Sequence, residues 1–565
     1  MRIVESGAFL PFPPVNAPAT FGPMRTLPLL ALLLPCLVQA QSVTPFLDHW
    51  DSTRTVKKSE GLLVNGREWG EWTFWDPEGR MTEVAEFEAG QREGHVVIYY
   101  TNGQVQHDGY FHMGKPDSLK QSFYRDGTPM ERGSYEDGRK TGTWEYWYAS
   151  GAPMLVENCQ DSICLVVDAW DRDSTRLVEN GNGTLRSYYG SGALHEEADH
   201  AHGVRSGAYR ELWPAGNPKA EGAYLGGVKD GPWKYWTSAG VLEKEEHYVK
   251  GQLDGPFTRY FANGHTNITG HYAQGLKDSV WSWYTTAGDK DMQGPFRADL
   301  REGVWKFWYP GGQLSSTGAF RADKEEGEWV YFYEGGQFWK KGGFREGRKD
   351  STWTTWYESG QKLQEGPYQD GLEQGEWRSW FKDGVLKTVG SFEQGQLSGL
   401  WRGWYPNGQP EYEGTWDADL KHGPWKLYYE SGRTQEEGSY AEGRKTGRWT
   451  SFNTQGNIIS EGAYVDGEPS GPWTYYDDAG VKMREQGFLN GKPHGPCKVY
   501  DQRGRLVQEM TYREGRLHGT MTIYDTGGNV AKRMEYEDGS VKKDLPPAMK
   551  DEPRPASVPG MDRKR

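Results

Sequence analysis

The densest group of side chains that could hold a metal ion or transfer protons lies between His195 and His202. The segment runs His-Glu-Glu-Ala-Asp-His-Ala-His and offers three imidazoles and three carboxylates within eight residues. Alternate side chains share a face of a β-strand, so His200 and His202 would suit a zinc ion. The segment lacks the His-Glu-x-x-His pattern of helical zinc sites, and His200 occupies a repeat position that otherwise carries an aromatic ring. We therefore expect a structural histidine and no metal site.

Two cysteines and several aspartates lie in the stretch that breaks the regularity of the chain, residues 159–182. Cys159 and Cys164 are five residues apart, a spacing that allows a small disulfide loop in an oxidising compartment. Asp171 and Asp173 give the segment a weak similarity to a calcium loop, but the glycine and the glutamate that such a loop needs are missing. We expect an irregular insertion with a candidate disulfide and no bound cofactor.

The sequence contains no pattern typical of a nucleophilic active site. Such a site needs an activated serine or cysteine beside a base, whereas here each segment resembles the next. No glycine-rich stretch matches a phosphate-binding loop or a dinucleotide fingerprint. Cys497 stands where other repeats carry tryptophan, which favours a buried thiol. We predict that the chain is not an enzyme.

The composition indicates what kind of element positions these side chains. Glycine accounts for 76 of 565 residues and aromatic residues for 14%, yet all hydrophobic residues together reach only 35%. This argues against an enzyme core of Leu, Ile and Val. The 26 tryptophans and 33 tyrosines carry too much apolar area for a disordered chain. The net charge of −14 disfavours binding to nucleic acid or anionic lipid. We expect an aromatic, glycine-punctuated β protein.

A period of 24 residues runs through the chain. Trp233 and nine further tryptophans up to Trp473 lie on one 24-residue grid, which extends to fifteen repeats between Leu185 and Met521. A second grid with the same period adds four repeats, at residues 72, 96, 120 and 144. We number each repeat from its grid residue, position 0. Glycine occupies position +7 in all nineteen repeats, and an aromatic residue occupies +3 in eighteen and +15 in seventeen.

The pattern within each repeat predicts a β-hairpin. Positions 0 to +4 form an aromatic strand, and Asn-Gly, Ser-Gly or Asp-Gly at +6 and +7 supplies the positive φ of a tight turn. The glycine near +13 leaves room for a neighbouring aromatic ring to lie across it. A second turn is expected over Gly-x-x-x-Gly, as in residues 443–447. The representative turn glycines are Gly264, Gly312, Gly360, Gly408 and Gly456.

We therefore predict an all-β fold, an elongated single-layer antiparallel β-meander of about 19 stacked 24-residue hairpin repeats. Aromatic rings fall on both faces, because positions 0, +2 and +4 share one face and +3 lies on the other. One face could stack on sugars or extended peptides. Alternatively the rings form the core, covered by Lys, Arg and Glu stems, and we favour this second interpretation. The candidate binding aromatics are Trp305, Tyr309, Trp353, Tyr357, Trp401 and Tyr405.

The N-terminal segment is typical of an export signal. Met24 opens a short basic region, and a twelve-residue apolar stretch from Leu27 to Val38 is too short to span a bilayer. A cleavage site follows Ala40, so the mature chain is expected to begin at the next residue, Gln41.

The chain is expected to divide into six segments. These are an upstream extension with the signal peptide (1–40), an N-terminal lead-in (41–64), repeats one to four (65–158), the irregular insertion (159–182), repeats five to nineteen (183–540) and a disordered tail (541–565).

The unit G-x-W-x-x-W/Y-Y-x-x-G-x-x-x-x-x-G-x-F/Y-x-x-G-x-x-x-G resembles the MORN repeat (membrane occupation and recognition nexus). It is most similar to the longer bacterial variant in proteins labelled antitoxin-like. The resemblance covers about residues 65–540. It implies hairpin stacks that scaffold protein assemblies, with lipid binding proposed for some members and no catalytic residues. The export signal and the acidity of this chain differ from cytosolic members and argue against lipid binding and an intracellular antitoxin function.

We expect an exported, non-enzymatic repeat protein, in the periplasm, on the cell surface or secreted, that binds or scaffolds proteins. The alternative is a cell-envelope carbohydrate-binding ribbon that uses exposed aromatic ladders; it resembles, more weakly, the choline- and glucan-binding repeats of bacterial surface proteins. The expected partner is a protein, or in the alternative an envelope glycan. Nucleic acid is not expected, and no segment of the mature chain is long and apolar enough to span a membrane.

Overall fold

The computed structural model describes residues 42–546. The upstream extension, the export signal and its cleavage site therefore lie outside the described residues. Within them every assigned element is a β-strand, and every strand pairing is antiparallel between strands close in sequence. The predicted all-β antiparallel meander is confirmed.

The chain divides into two compact units, the first ending at Cys164 and the second beginning at Leu165. In the first unit each strand pairs with the strands before and after it in the chain. Its strands are β1 (Val43–His49), β2 (Lys57–Val64), β3 (Arg67–Trp75), β4 (Met81–Glu88), β5 (Gln91–Tyr99), β6 (Val105–His112), β7 (Lys115–Phe123), β8 (Pro129–Glu136), β9 (Arg139–Trp147) and β10 (Pro153–Gln160).

The second unit has the same sequential pairing, and in four repeats the first two residues of a long strand are separated from the rest by a break. The strands from the unit boundary onward are β11 (Ile163–Trp170), β12 (Arg176–Glu179), β13 (Asn182–Tyr188), β14 (Leu194–Ala201), β15 (Val204–Leu212), β16 (Pro218–Leu225), β17 (Val228–Trp236), β18 (Leu242–Val249), β19 (Gln252–Leu253), β20 (Gly255–Tyr260), β21 (Thr266–Ala273), β22 (Leu276–Tyr284), β23 (Lys290–Arg297), β24 (Leu300–Arg301), β25 (Gly303–Trp308), β26 (Leu314–Arg321), β27 (Lys324–Phe332), β28 (Phe338–Arg345), β29 (Arg348–Trp356), β30 (Lys362–Gln369), β31 (Leu372–Glu373), β32 (Gly375–Trp380), β33 (Leu386–Glu393), β34 (Gln396–Trp404), β35 (Pro410–Asp417), β36 (Leu420–Tyr428), β37 (Thr434–Ala441), β38 (Arg444–Phe452), β39 (Ile458–Val465), β40 (Glu468–Tyr476), β41 (Lys482–Leu489), β42 (Lys492–Tyr500), β43 (Leu506–Arg513), β44 (Arg516–Leu517), β45 (Gly519–Tyr524), β46 (Val530–Glu537) and β47 (Ser540–Leu545).

The turn at position +7 is a three-residue loop. In the turn from β34 to β35, the amide of Tyr405 donates to Gln409 O at 2.8 Å, and the amide of Gly408 donates to Tyr405 O at 2.9 Å. Only the glycine has positive φ, 79° at Gly408, while Asn407 keeps a negative φ. The geometry is that of a turn closed by a left-handed glycine, which shifts the register between Gly403 and Trp404. The asparagine therefore adopts a different conformation from the one that a two-residue Asn-Gly turn would require.

The second turn is shorter than expected from the sequence. It consists of positions +17 and +18, which both have positive φ, as at Glu442 (49°) and Gly443 (79°). This is the pattern of a two-residue turn whose twist suits the flanking strands. The prediction of a turn over residues 443–447 was wrong, because β38 begins at Arg444. Gly447 lies inside this strand with a φ of 64°, opposite a register shift in β37.

The glycine of position +22 is replaced by serine at three places. Ser118, Ser279 and Ser351 keep the left-handed backbone there, with φ of 62°, 60° and 65°. We expect Ser351→Gly to raise the free energy of unfolding by about 0.5–1 kcal/mol, since relief of the strained φ outweighs the added entropy of the unfolded chain. Denaturant melting of the full chain measures this change in the free energy of unfolding. The matched substitution Ser470→Gly, at a residue without positive φ, should lower the free energy of unfolding. If both substitutions changed stability in the same direction, relief of a strained φ would not be the cause.

Three segments outside the repeats form regular strands. The lead-in forms β1 and β2, which pair with each other. The insertion contributes β11 and β12, a short antiparallel pair, so residues 159–182 are largely strand although they lack the repeat pattern. The prediction that the tail is disordered from Val541 was wrong for its first residues, because β47 pairs with β46 through Leu545. Residues 547–565 lie outside the described residues.

Candidate functional site

The position-0 tryptophans form the core of the sheet. Trp305, Trp353 and Trp401 are 2%, 4% and 8% exposed. The ring of Trp353 meets that of Phe344 edge-on at 5.1 Å, and Lys349 Nζ lies 4.9 Å from its centroid. An aromatic neighbour and the stem of Lys349 therefore cover the indole of Trp353. Arg301 lies over the ring of Trp305, and Phe392 meets Trp401 edge-on at 5.2 Å. These three candidate binding tryptophans offer no free ring face in this structure.

Each of these indoles lies directly against a glycine at position +13 of the preceding repeat. A Cβ built on Gly342 would lie 2.2 Å from Cδ2 of Trp353. Trp353 Nε1 also donates to Gly343 O at 3.0 Å. The Gly–Trp pairs are 61–72, 133–144, 222–233, 270–281, 294–305, 318–329, 342–353, 366–377, 390–401, 414–425, 438–449 and 462–473. In all twelve the indole donates to the residue after the glycine.

Where position 0 is not tryptophan, the paired +13 residue usually has a side chain. The volumes of the two positions are therefore complementary, as close packing requires. These pairs are Ala85 with Val96, Ala198 with Tyr209, Glu246 with Phe257, Gln486 with Cys497, and Met510 with Met521. The predicted burial of the Cys497 thiol is confirmed.

The candidate tyrosines at position +4 tie successive repeats together. The hydroxyls of Tyr309, Tyr357 and Tyr405 each donate to the backbone carbonyl of the +3 residue in the next repeat, at 2.9, 3.1 and 2.8 Å. Burial raises the pKa of the Tyr405 hydroxyl, so it remains a donor at neutral pH. These three hydroxyls are therefore engaged in hydrogen bonds to the backbone.

The predicted turn glycines have positive φ, and the space where a side chain would project is open. No atom lies within 4 Å of a Cβ built on any of the five representatives. Their φ values are 83° at Gly264, 87° at Gly312, 85° at Gly360, 79° at Gly408 and 96° at Gly456.

The insertion carries a disulfide between Cys159 and Cys164. Glu157 lies beside the two sulfurs, but a disulfide leaves no thiolate to bind a metal. His200 is 8% exposed and its Nδ1 lies 3.0 Å from Ala198 O, while burial lowers its pKa. His202 lies in a turn with a φ of 53°, so the two histidines do not share a strand face.

The face opposite the tryptophans carries an exposed row of aliphatic side chains that the sequence analysis missed. Val280 and Val304 directly precede Trp281 and Trp305 in their strands, so they point to the other face, where they are 54% and 59% exposed. Leu300 precedes Arg301, whose guanidinium covers a core ring, and is exposed by the same alternation. We call this row the aliphatic strip: Leu225, Val228, Val249, Leu276, Val280, Leu300 and Val304. Its signal in the sequence is Leu or Val at positions +16, +19 and +23.

The strand order and the ring ladder define the class of protein: an antiparallel β-hairpin repeat protein. Seven segments match the family model of the MORN repeat variant, which supports a MORN-repeat protein; they are residues 92–112, 229–250, 301–321, 349–370, 397–418, 421–442 and 517–538. No curated protein matches the chain. Among residues 42–546 no helix is long and apolar enough to cross a membrane.

Solved structures of toxin complexes match this chain at low similarity. The complex TcdB2-TccC3-Cdc42 matches at 11% identity and a TM-score of 0.12, over 83% of this chain and 31% of that chain. The Photorhabdus luminescens Tc holotoxin pore matches at 11% identity and a TM-score of 0.11, over 88% of this chain and 30% of that one. The chain thus spans about a third of the length of these toxin chains, and scores this low do not bear on function.

Proposed function

We propose that this chain is an exported, non-enzymatic repeat protein whose sheet provides a binding or scaffolding surface for proteins. The observation that carries the proposal is the aliphatic strip. Exposed apolar patches of this kind, bordered by polar residues, are typical of protein interaction sites. The position-0 tryptophans of the opposite face are buried, which makes them poor platforms for sugars. Export rests on the apolar segment from Leu27 to Val38.

The repeat explains why such a surface suits binding. Side chains at one position recur at each hairpin, so contacts of one chemistry are presented in a row. Ion pairs border the row, such as Lys234 with Glu245 at 3.0 Å. Exposed pairs of this kind contribute little to stability and supply the polar rim of an interface. The net charge of −14 would steer a cationic partner toward this surface.

Site-specific photo-crosslinking in the native host tests the proposal. A photo-reactive residue at Val304 should form discrete, higher-mass protein adducts, which mass spectrometry identifies. The matched position Gln313 is also exposed but lies at the opposite turn edge, and should give few adducts. Val280→Glu should reduce crosslinking from position 304, because a buried charge opposes an apolar interface. Equal adducts at both positions, or none at Val304, would contradict a protein interface here. Capture of a glycan instead would favour the carbohydrate alternative.

A further inference from the structure

One glycine of the Gly–Trp series lacks its tryptophan. Gly109 occupies position +13 and is buried, but position 0 of the following repeat is Lys120. A Cβ built on Gly109 would find its nearest neighbours 3.4 Å away, at Leu119 O and Lys120 Cγ. At the equivalent Gly133 the same Cβ would lie 2.1 Å from Trp144 Cδ2. The backbone and stem of Lys120 therefore lie beside this glycine, and no ring lies on it.

A cavity of about 210 Å³ lies at this place. Among its lining residues are Val96, Ile98, Gly109, Phe111, Pro116 and Lys120. An apolar cavity of ~150 Å³ suffices to bind benzene, so this one is large enough for a two-ring group. We call it the indole slot.

The walls of the slot match those that hold the twelve covered tryptophans. Phe111 occupies position +15, whose ring elsewhere meets the next indole edge-on, as Tyr135 meets Trp144 at 5.0 Å and 84°. The carbonyl of Tyr110 stands at the register position that accepts the indole N–H in the other repeats. Its counterpart is Ser134 O, which accepts from Trp144 Nε1 at 3.1 Å.

The slot differs from the filled sites in the position of its lysine. In the next repeat, Lys140 Nζ lies 4.1 Å from the centroid of the Trp144 ring, a favourable cation–π distance. In the slot, Pro116 stands at the position of that lysine, and Lys120 is among the lining residues. The ammonium group of Lys120 is held on the far side of its strand, 2.9 Å from Glu131 Oε1 and 6.0 Å from the centroid of the Tyr135 ring.

We propose that the indole slot binds a tryptophan side chain presented by a protein partner. The inference rests on the proposed protein-binding function and names one chemical feature of the partner: an accessible tryptophan. The flexible stem of Lys120 would move aside, and the ring would lie against Gly109 with its edge toward Phe111 and its N–H toward the carbonyl of Tyr110. The twelve filled sites within the same chain are the template for this geometry.

Binding of N-acetyl-tryptophanamide, the blocked residue, tests the slot by saturation-transfer NMR on the full chain. The wild-type protein should bind it saturably. Gly109→Ala should weaken binding at least about tenfold, because the new methyl group occupies the seat of the ring. Lys120→Trp should abolish binding by filling the slot from within. Leu119→Ala, a neighbouring exposed residue, should leave binding unchanged. Alanine occurs at the same position in two other repeats, at Ala85 and Ala198, so Gly109→Ala is expected to fold.

Four outcomes would overturn the inference. The first is the absence of saturable binding to the wild-type protein. The second and third are binding that survives Gly109→Ala and binding that survives Lys120→Trp. The fourth is that free tryptophan binds while the blocked amide does not, which would indicate a small-molecule site. The proposed function fails separately, through absence of adducts at Val304 in the second unit. Adducts at Val304 without binding of N-acetyl-tryptophanamide would refute the indole slot and leave the proposed function standing.

Discussion

Replacing Gly438 with alanine is expected to lower the free energy of unfolding by about 3 kcal/mol or more. The added Cβ would lie 2.1 Å from Cδ2 and 2.3 Å from Cε2 of Trp449. The indole has no room to retreat, since its Nε1 donates to Ser439 O at 3.1 Å and Lys445 Nζ covers its ring at 3.8 Å. Denaturant melting of the full chain would measure the loss of stability, and hydrogen exchange over residues 425–473 would show which strands it affects.

Gly109→Ala is the matched control for this prediction. It is the same substitution at the same repeat position, but no indole lies on that glycine. We expect it to change stability by less than about 0.5 kcal/mol. Equal losses at both glycines would mean that the Gly–Trp contact is not the cause.

A second change should partly rescue Gly438→Ala. The pair Ala85 with Val96 shows that alanine fits when the facing residue is small. Trp449→Val alone leaves a cavity and should be costly. The double variant, Gly438→Ala with Trp449→Val, should be more stable than the sum of the two losses by about 1–3 kcal/mol. Simple additivity would contradict a direct contact.

The repeat and its strands could be predicted because they depend on local residue types. A 24-residue period with glycine at +7 in every copy fixes where chains must turn. The room left by the +13 glycine for a ring was also predictable, since a residue without a side chain inside an aromatic strand indicates close approach. The complementary volumes of Gln486 and Cys497 were visible in the sequence, but only the structure shows that these positions touch.

Side-chain burial was harder to predict from the pattern. Rings at positions 0 and +4 share a spacing that is typical both of a core and of a binding platform. The deciding facts are contacts between repeats: Lys349 over Trp353, and the hydroxyl of Tyr357 on the carbonyl of Trp380. The turn at Glu442 was misplaced because a non-glycine residue with positive φ leaves no clear signal in its residue type.

The aliphatic strip and the indole slot were missed for a related reason. Isolated Leu and Val residues at strand ends are common in any sheet, and only the alternation around Arg301 and Trp305 places Leu300 and Val304 on one exposed face. The slot depends on a residue that is absent from its expected position. Lys120 was visible as a departure from the tryptophan grid, but the cavity that this departure leaves is a property of the packed sheet.

Replacing Gly408 with valine should lower the free energy of unfolding by about 2 kcal/mol. No atom lies within 4 Å of the new Cβ, so the cost comes only from holding a β-branched residue at a φ of 79°. Each hairpin is stabilised by its neighbours, and hydrogen exchange should therefore rise in the flanking hairpins as well. Gly408→Asn should cost less, because asparagine tolerates the left-handed conformation. This order, valine worse than asparagine, distinguishes backbone strain from the steric clash expected at Gly438.

The exposed Lys387 supplies the control for this last substitution. Its Nζ lies 5.5 Å from the ring of Phe381, and its side chain makes no ion pair among the described residues. Lys387→Ala should change stability by less than about 0.5 kcal/mol. If Gly408→Val and Lys387→Ala melted alike, the left-handed turn would not be what holds the hairpin. Successive repeats would then have to be held in register by the indole contacts and the tyrosine hydroxyls alone, so the hairpin turns would become the tolerant part of the fold.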